Sequence, residues 1–222
     1  MMPKPAAALI FDLDGTLIDS VPDMTRAINR LLTGQGRRAL DTAEVREMVG
    51  DGATELVRQA WRRTGATLAA AAEAATVDRY IDYYAEHPDS DSAFYPGVAQ
   101  TLEALAAAGH RLALCTNKPE RILRPLLAGL GLAARFEVSL GAGVLARRKP
   151  DPAPVRWVLD RLAVAPAQAL MIGDSRNDVL SAQAAGVRVV AVSYGYTKVP
   201  ARDLGAEMVI DRFEQLLDLV RW

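Results

Sequence analysis

Two acidic residues near the start of the chain, Asp12 and Asp14, have a spacing that suits chemistry. They directly follow a short apolar run at residues 8–11 and precede Gly15. Because successive side chains of an extended chain point to opposite faces, the two carboxylates point the same way. Two like charges this close repel each other unless a cation or a shared proton relieves them. The pair therefore indicates a metal site, a catalytic site, or both.

Five further polar residues fall between a predicted strand and the start of the next helix or within its first turn. Thr116 and Asn117 follow the strand at 111–115, Lys149 lies in the turn after the strand at 136–140, and Asp174 and Asp178 follow the strand at 169–172. Open parallel sheets gather the carboxyl ends of their strands along one edge, where ligands bind. Carboxylates at this density suit a hard divalent cation such as Mg²⁺, which also takes phosphate oxygens as ligands. A lysine and backbone N–H groups would complement the remaining charge of a phosphate. The set therefore favours phosphoryl transfer.

The elements that must position these residues alternate between strand and helix from residue 95 onward. Short apolar runs predict strands at residues 8–11, 111–115, 136–140, 169–172 and 188–192, with an edge strand at 208–210. Repeated strand–helix units imply a parallel sheet with helices on both faces. The predicted fold is α/β, a doubly wound parallel sheet with a Rossmann-like core.

The segment between the first strand and residue 93 reads as all-helical, with no predicted strand. Ser20 is expected to cap its first helix, and Asp41 with Glu44 forms a capping-box pair at the second. The segment is far longer than a crossover needs. We therefore expect an α/β catalytic core of residues 1–18 and 93–222, and a helical cap of residues 19–92 inserted where ligands bind.

The overall charge and composition limit the classes of partner and the cellular location that we expect for the protein. The 222 residues carry a formal net charge of -1, which gives no electrostatic case for nucleic acid or an anionic membrane. No window approaches the roughly 20 apolar residues that span a bilayer, and the first residues lack the apolar core of a secretory signal. The single Cys115 suits a reducing cytoplasm. We expect a cytoplasmic monomer or homodimer.

Four motifs resemble, in order, the signature motifs of the haloacid dehalogenase-like hydrolase superfamily: Asp12-Leu-Asp-Gly-Thr, Thr116-Asn-Lys, Lys149-Pro-Asp-Pro and Gly173-Asp-Ser-Arg-Asn-Asp. The resemblance covers essentially the whole chain and puts the helical segment where that family carries its cap. Within the superfamily the sequence is most similar to bacterial phosphoglycolate phosphatases. The features that carry this similarity are Val49-Gly-Asp-Gly-Ala, Tyr95-Pro-Gly-Val and Tyr194-Gly-Tyr.

The resemblance implies a role for each catalytic residue. Asp12 would be the nucleophile that forms an aspartyl-phosphate. Asp14 would protonate the leaving alcohol and then deprotonate the attacking water, so its carboxyl should be free. Lys149 would steady the nucleophile and offset charge. The resemblance also implies Mg²⁺ as cofactor, with Asp12, the backbone carbonyl of Asp14 and Asp174 as its ligands. Asp178 would lie beside these ligands, and whether it binds the metal directly or acts from behind them stays open.

The implied substrate is a small phosphorylated metabolite, 2-phosphoglycolate. Its phosphoryl oxygens would be held near Gly15, Thr116 and Asn117. Because the substrate also carries a carboxylate, the cap should present backbone N–H groups or arginine to a second anion. The loop of Gly50, Asp51 and Gly52, which opens a predicted helix, is expected to do so.

Several alternatives remain open from the sequence. A dehalogenase would not need Asp14, and a phosphonatase uses a cap lysine that residues 19–91 do not contain. A phosphatase or mutase acting on a sugar or amino-sugar phosphate would share the same core chemistry. A non-catalytic regulator that binds a phosphorylated ligand is the alternative from another class. Tyr80 and Tyr84 are expected to serve as packing within the helical segment.

Overall fold

The computed structural model describes residues 8–220. Its strands are, in chain order, β1 (Ala8–Phe11), β2 (Ile18–Asp19), β3 (Ala93–Phe94), β4 (Arg111–Pro119), β5 (Val138–Ala142), β6 (Ala169–Gly173), β7 (Arg188–Val192) and β8 (Met208–Ile210). Six of them form one parallel sheet in the order β5-β4-β1-β6-β7-β8. All four residues of β1 are fully buried, as expected for the central strand of a sheet that is covered on both faces.

The helices are α1 (Val21–Thr33), α2 (Thr42–Arg46), α3 (Gly52–Arg63), α4 (Ala70–Glu86), α5 (Val98–Ala107), α6 (Glu120–Gly129), α7 (Ala153–Leu162), α8 (Arg176–Ala184) and α9 (Leu216–Val220). Helices α5, α6 and α9 pack with Leu9 and Phe11 on one face of the sheet. Helices α7 and α8 pack with Ala8 and Ile10 on the other. This alternation along β1 confirms the doubly wound α/β fold. No helix within residues 8–220 is long and apolar enough to cross a bilayer.

Helices α1 to α4 lie between β2 and β3 and bury their apolar faces in a cluster of their own. The cluster includes Trp61, Tyr80 and Tyr84, and it also receives Ile122 of α6 and Tyr196. The predicted capping box is present: the Asp41 side chain accepts from the Glu44 backbone N–H, and the Glu44 side chain accepts from the Asp41 backbone N–H. We call these four helices the helical insert.

Two short strands that the sequence did not predict join the helical insert to the sheet. In β2 and β3, Ile18 pairs with Phe94 and Asp19 with Ala93 in an antiparallel ladder. Each strand has two residues, which is too short for the alternation that reveals a strand in a sequence. The two segments that connect the insert to the sheet are therefore adjacent and hydrogen-bonded to each other.

Strand β4 is longer than predicted, because it continues past Cys115 to Pro119. Its register against β5 shifts between Cys115 and Pro119. Irregularities of this kind re-aim side chains and are common near active sites. The extension carries three polar residues, Thr116, Asn117 and Lys118, beyond the carboxyl end of the neighbouring β1.

Candidate active site

Three buried carboxylates meet at the carboxyl ends of β1 and β6. These strands are neighbours with Phe11 opposite Ile172, so Asp12 and Asp174 leave the sheet side by side. Asp178 reaches the same place from the first turn of α8. One carboxylate oxygen from each of the three lies within 4.8 Å of the others. The acidic residues that the sequence placed at strand ends are therefore brought together as a cluster.

Lys149 lies within this carboxylate cluster. Its Nζ donates to Asp178 Oδ1 and to the Cys115 carbonyl oxygen, both at 2.5 Å, and lies 2.9 Å from Asp12 Oδ1. Burial alone would lower the pKa of Lys149, but Asp12 and Asp178 outweigh it and raise that pKa. The lysine is therefore charged and is surrounded by negative groups.

One lysine does not balance three buried carboxylates. Burial, and next the charge of Asp178, raise the pKa of Asp12 to about 7, although Lys149 opposes the shift. Burial, and next the charges of Asp178 and Asp12, raise the pKa of Asp174 well above its usual range. Asp12 Oδ1 is in ion-pair contact with Lys149, but within residues 8–220 it accepts no hydrogen bond of good geometry. A buried, under-compensated set of oxygen donors fits a hard divalent cation.

The surroundings orient two of these carboxylates. Asp178 Oδ2 accepts from the backbone N–H and the hydroxyl of Ser175, in a capping box at the start of α8. Asp174 Oδ2 accepts from the Tyr196 backbone N–H at 2.6 Å, and Thr16 Oγ1 lies 3.4 Å from Asp174 Oδ1. Because both oxygens of Asp178 already accept hydrogen bonds, its position suits holding Lys149 in place.

The carboxyl of Asp14, expected to be free for proton transfer, has one of its two oxygens held by hydrogen bonds. Its Oδ1 accepts from Ser20 Oγ at 2.5 Å and from Lys118 Nζ at 2.9 Å. Ser20 stands at the N-cap position of α1 as expected, but the expectation that its side chain caps the helix is wrong, since it makes no capping bond. The physical reason is the turn after β1, where Asp14 bridges to Ile18. That turn brings Ser20 back against Asp14.

Thr116 and Asn117 lie beside the carboxylate cluster. Thr116 is buried, and its Oγ1 accepts from the Lys118 backbone N–H at 3.1 Å. Asn117 Nδ2 donates to the Lys149 carbonyl at 2.9 Å. Both line the same pocket as Asp12 and Asp14. The side chains predicted to hold a phosphoryl group are therefore assembled around the predicted nucleophile.

The helical insert forms the opposite wall of this pocket. Its lining residues are mostly apolar, and they are Met24, Met48, Val49, Gly50, Gly52, Ala53, Leu56, Tyr80 and Tyr84. Asp51 is exposed and its Oδ1 accepts from Asn177 Nδ2 at 3.2 Å. Asn177 also donates to the Gly50 carbonyl at 3.0 Å. The loop predicted to read a second anion thus contacts α8, with its two glycines at the pocket.

The sequence and the fold were compared with known proteins. The family model described as haloacid dehalogenase-like hydrolase matches residues 9–192. The chain belongs to this family. A phosphoglycolate phosphatase from Rhodospirillum rubrum is 48% identical over 221 residues, which cover 98% of this chain and 90% of that protein.

Solved structures resemble this hydrolase as well. A predicted phosphoglycolate phosphatase from Haemophilus somnus is 33% identical with a TM-score of 0.90. The match covers 97% of this chain and 98% of that chain. A variant of CbbY from Rhodobacter sphaeroides, solved in complex with xylulose-(1,5)bisphosphate, is 26% identical with a TM-score of 0.81, covering 95% and 96%. The likeness extends over both the sheet and the helical insert.

Two residues at this site of the hydrolase were not singled out from the sequence. Lys118 was quoted within a motif without a role, yet its side chain is buried between Asp14 and Tyr84. Tyr196 fixes Asp174 through its backbone, and its hydroxyl donates to Asp19 Oδ1 at 2.7 Å. No local pattern marks either contact, because each partner is distant in the sequence. Tyr84, expected to be packing only, also reaches the pocket.

Gly15 is required where it stands because of Asp174. It has a φ of +84°, and a Cβ added there would lie 2.3 Å from Asp174 Oδ2. We expect Gly15→Ala to displace Asp174 and to lower kcat/KM about 100-fold, the usual scale for a misplacement near 1 Å. Kinetics of phosphate release would measure this loss.

Gly36→Ala is the matched control for this prediction. Gly36 also has a positive φ, +68°, but an added Cβ would meet no atom within 4 Å. The control suffers backbone strain of about 1 kcal/mol and should keep kcat/KM within about twofold. Equal losses in the two variants would show that strain, and not contact with Asp174, is responsible.

Proposed function

We propose that this hydrolase is a Mg²⁺-dependent phosphatase that converts 2-phosphoglycolate to glycolate and phosphate. The observation that carries the proposal is the buried cluster in which Asp12, paired with Lys149, lies beside Asp174 and Asp178, so that three carboxylates share one cation. A cation and a phosphoryl group are the ligands that such a cluster accommodates. The 48% identity to a phosphoglycolate phosphatase over nearly the full chain supports the substrate.

In the proposed reaction Asp12 attacks the phosphorus and glycolate leaves. Asp14 gives its proton to the ester oxygen of the leaving group, so that glycolate departs as a neutral alcohol at that position. Asp14 then takes a proton from the water that attacks the aspartyl-phosphate, which releases phosphate and restores Asp12. Ser20 and Lys118, which hold Asp14 Oδ1, keep its carboxyl oriented toward the pocket.

The other site residues bind and position the substrate. Thr116 and Asn117 donate to phosphoryl oxygens, with the backbone near Gly15 closing the same side, while Lys149 holds Asp12 for attack. Mg²⁺, when bound, would offset the negative charge of the phosphoryl group. Its ligands would be Asp12, Asp174 and the backbone carbonyl of Asp14, and Asp178 would act through Lys149.

We further propose that the helical insert, residues 19–92, is a cap domain over a core of residues 1–18 and 93–222. Two observations support this division: the insert has its own apolar cluster, and it joins the sheet through the β2–β3 ladder. A cap attached through two adjacent strands can hinge to admit substrate and exclude water. When the cap closes, Gly50 and Gly52, which flank Asp51 in their loop, complete the wall of the pocket.

Steady-state kinetics on a panel of phosphate esters tests the proposed substrate. With Mg²⁺ present, kcat/KM for 2-phosphoglycolate should exceed that for p-nitrophenyl phosphate and for hexose and amino-sugar phosphates by about 100-fold or more, because a site built for a polar substrate rejects analogues that lack the matching group. Turnover of 2-phosphoglycolate no faster than that of the generic esters would overturn the assignment.

A sugar phosphate is the second candidate substrate. The observation in its favour is the likeness to the CbbY variant, which was solved with xylulose-(1,5)bisphosphate bound. The panel therefore includes a pentose bisphosphate, and a preference for that compound over 2-phosphoglycolate would favour the second candidate. The same catalytic residues would act in both reactions.

A further inference from the structure

Lys118 is a buried cation at the pocket wall. Its side chain is 2% exposed, and it lies in the extension of β4 beyond Cys115. The ammonium donates to Asp14 Oδ1 at 2.9 Å and to Tyr84 Oη at 2.8 Å, and it lies 4.3 Å from the centre of the Tyr84 ring. An ammonium has three N–H donors, so these two hydrogen bonds leave one donor available among the described residues.

Lys118 and Lys149 are the positively charged residues among the described residues that line the pocket. Lys149 is committed to two carboxylates, Asp12 and Asp178, and to the Cys115 carbonyl. Lys118 is paired with one carboxylate, because its other partner, Tyr84, is a neutral phenol whose pKa burial raises well above its usual range. Of the two lysines, Lys118 has the capacity to neutralise a second anion.

The position of Lys118 also matches the shape of the substrate. Asp14 must reach the ester oxygen of the leaving group, and Lys118 donates to Oδ1 of this carboxylate. In 2-phosphoglycolate a single methylene separates the ester oxygen from the carboxylate carbon. The substrate carboxylate must therefore lie close to Asp14, and Lys118 and Tyr84 line the pocket beside that residue.

We propose that Lys118 binds the carboxylate of the substrate and makes this phosphatase selective for phosphorylated hydroxy acids. The proposal rests on the proposed function and names the residue that reads the second anion. Tyr84, from α4 of the helical insert, holds the ammonium in place through its hydroxyl and its ring. Lys118 is thus a specificity residue that lies on β4 of the sheet and is held by Tyr84 of the helical insert.

The test compares 2-phosphoglycolate with 2-phosphoglycolamide, a neutral amide of nearly the same shape. The measured quantity is the ratio of kcat/KM for the acid to kcat/KM for the amide. In Lys118→Met the ratio should fall about 10- to 100-fold, the scale of one hydrogen bond to a charged group. A ratio equal to that of the unchanged protein would overturn the proposal, whatever happens to the absolute rates.

Ser20→Ala is the matched control, because Ser20 is the other donor to Asp14 Oδ1. It should slow both substrates alike and leave the ratio within about twofold. If Ser20→Ala and Lys118→Met changed the ratio equally, Lys118 would act through Asp14 and not on the carboxylate. If Lys118→Met does not fold, Lys118→Gln decides: it keeps a hydrogen-bonding side chain without the charge, and an unchanged ratio in that variant overturns the proposal.

A binding measurement separates this proposal from the proposed function. In an Asp12→Asn background, which stops turnover, calorimetry gives Kd for the acid and for the amide with Mg²⁺ present. Adding Lys118→Met should weaken binding of the acid about 10-fold or more and bring the two ligands to similar affinity. If the Asp12→Asn protein does not prefer the acid, the proposed substrate is wrong. If it does and the double variant keeps the preference, only the role of Lys118 is wrong.

Discussion

Asp12→Asn should lower kcat for 2-phosphoglycolate by at least about 10⁴-fold, the scale seen when a covalent nucleophile is removed. An asparagine side chain has nearly the same shape but cannot form an acyl phosphate. Phosphate release under saturating substrate and Mg²⁺ measures the effect. Retention of more than about one-hundredth of the activity would contradict the nucleophile assignment.

The stability of the same variant provides its control. Burial and Asp178 raise the pKa of Asp12, so its ionised form is disfavoured in the metal-free protein. Removing that charge should leave the melting temperature of the metal-free protein unchanged or raise it. A large drop would mean that the lost activity reflects unfolding, and the kinetic result would then not bear on the nucleophile.

Lys149→Met should be damaging in two ways. The variant leaves Asp12 and Asp178 buried without their shared counter-charge, and breaking a buried pair in this manner costs about 3–5 kcal/mol. We also expect kcat to fall about 10²- to 10³-fold, the usual effect of removing one charge-stabilising donor from an active site. Denaturant unfolding and phosphate release measure the two losses.

Two further variants show whether the stability loss comes from uncompensated charge. Lys198 is exposed, so Lys198→Met should stay within about 0.5 kcal/mol of the unchanged protein. Adding Asp178→Asn to Lys149→Met should recover part of the lost stability, because it removes one of the stranded carboxylates. If Lys149→Met proved as stable as Lys198→Met, the account of the charge balance would be wrong.

The sequence predicted the parts of the fold that depend on local patterning. Strands β1 and β6 were predicted within one residue of their observed bounds, because a short buried strand in a parallel sheet is an uninterrupted apolar run. The capping box of Asp41 and Glu44 was predicted for a similar reason: its partners lie three residues apart. Both patterns involve residues that are close together in the sequence, within a single helical turn or a single strand.

The features that were missed depend on contacts between distant segments. The β2–β3 ladder joins Ile18 to Phe94, and the Asp14–Lys118 pair joins residues 104 positions apart. Asp14 was expected to keep its carboxyl free for proton transfer, a role that the resemblance implies and that says nothing about contacts with Lys118. The extension of β4 past Cys115 was missed because Thr116 and Asn117 interrupt the apolar run.

The candidate site was predicted better than its surroundings. Asp12, Asp174 and Asp178 converge as their positions at strand ends implied, and Lys149 lies among them. On the side of the helical insert, Gly50 and Gly52 reach the pocket, whereas Asp51 contacts Asn177. The sheet topology fixes the first group, while side-chain packing, which a single sequence does not encode locally, fixes the second.

The most direct test of the central claim is to trap the phosphoryl group on Asp12. The hydrolase is mixed with 2-phosphoglycolate and Mg²⁺, quenched in acid within the first turnover and digested, and its peptides are weighed by mass spectrometry. The account predicts a phosphorylated peptide that contains Asp12 and that is absent from the Asp12→Asn variant. Rapid turnover with no phosphopeptide, or with the phosphoryl group on another residue, would contradict it.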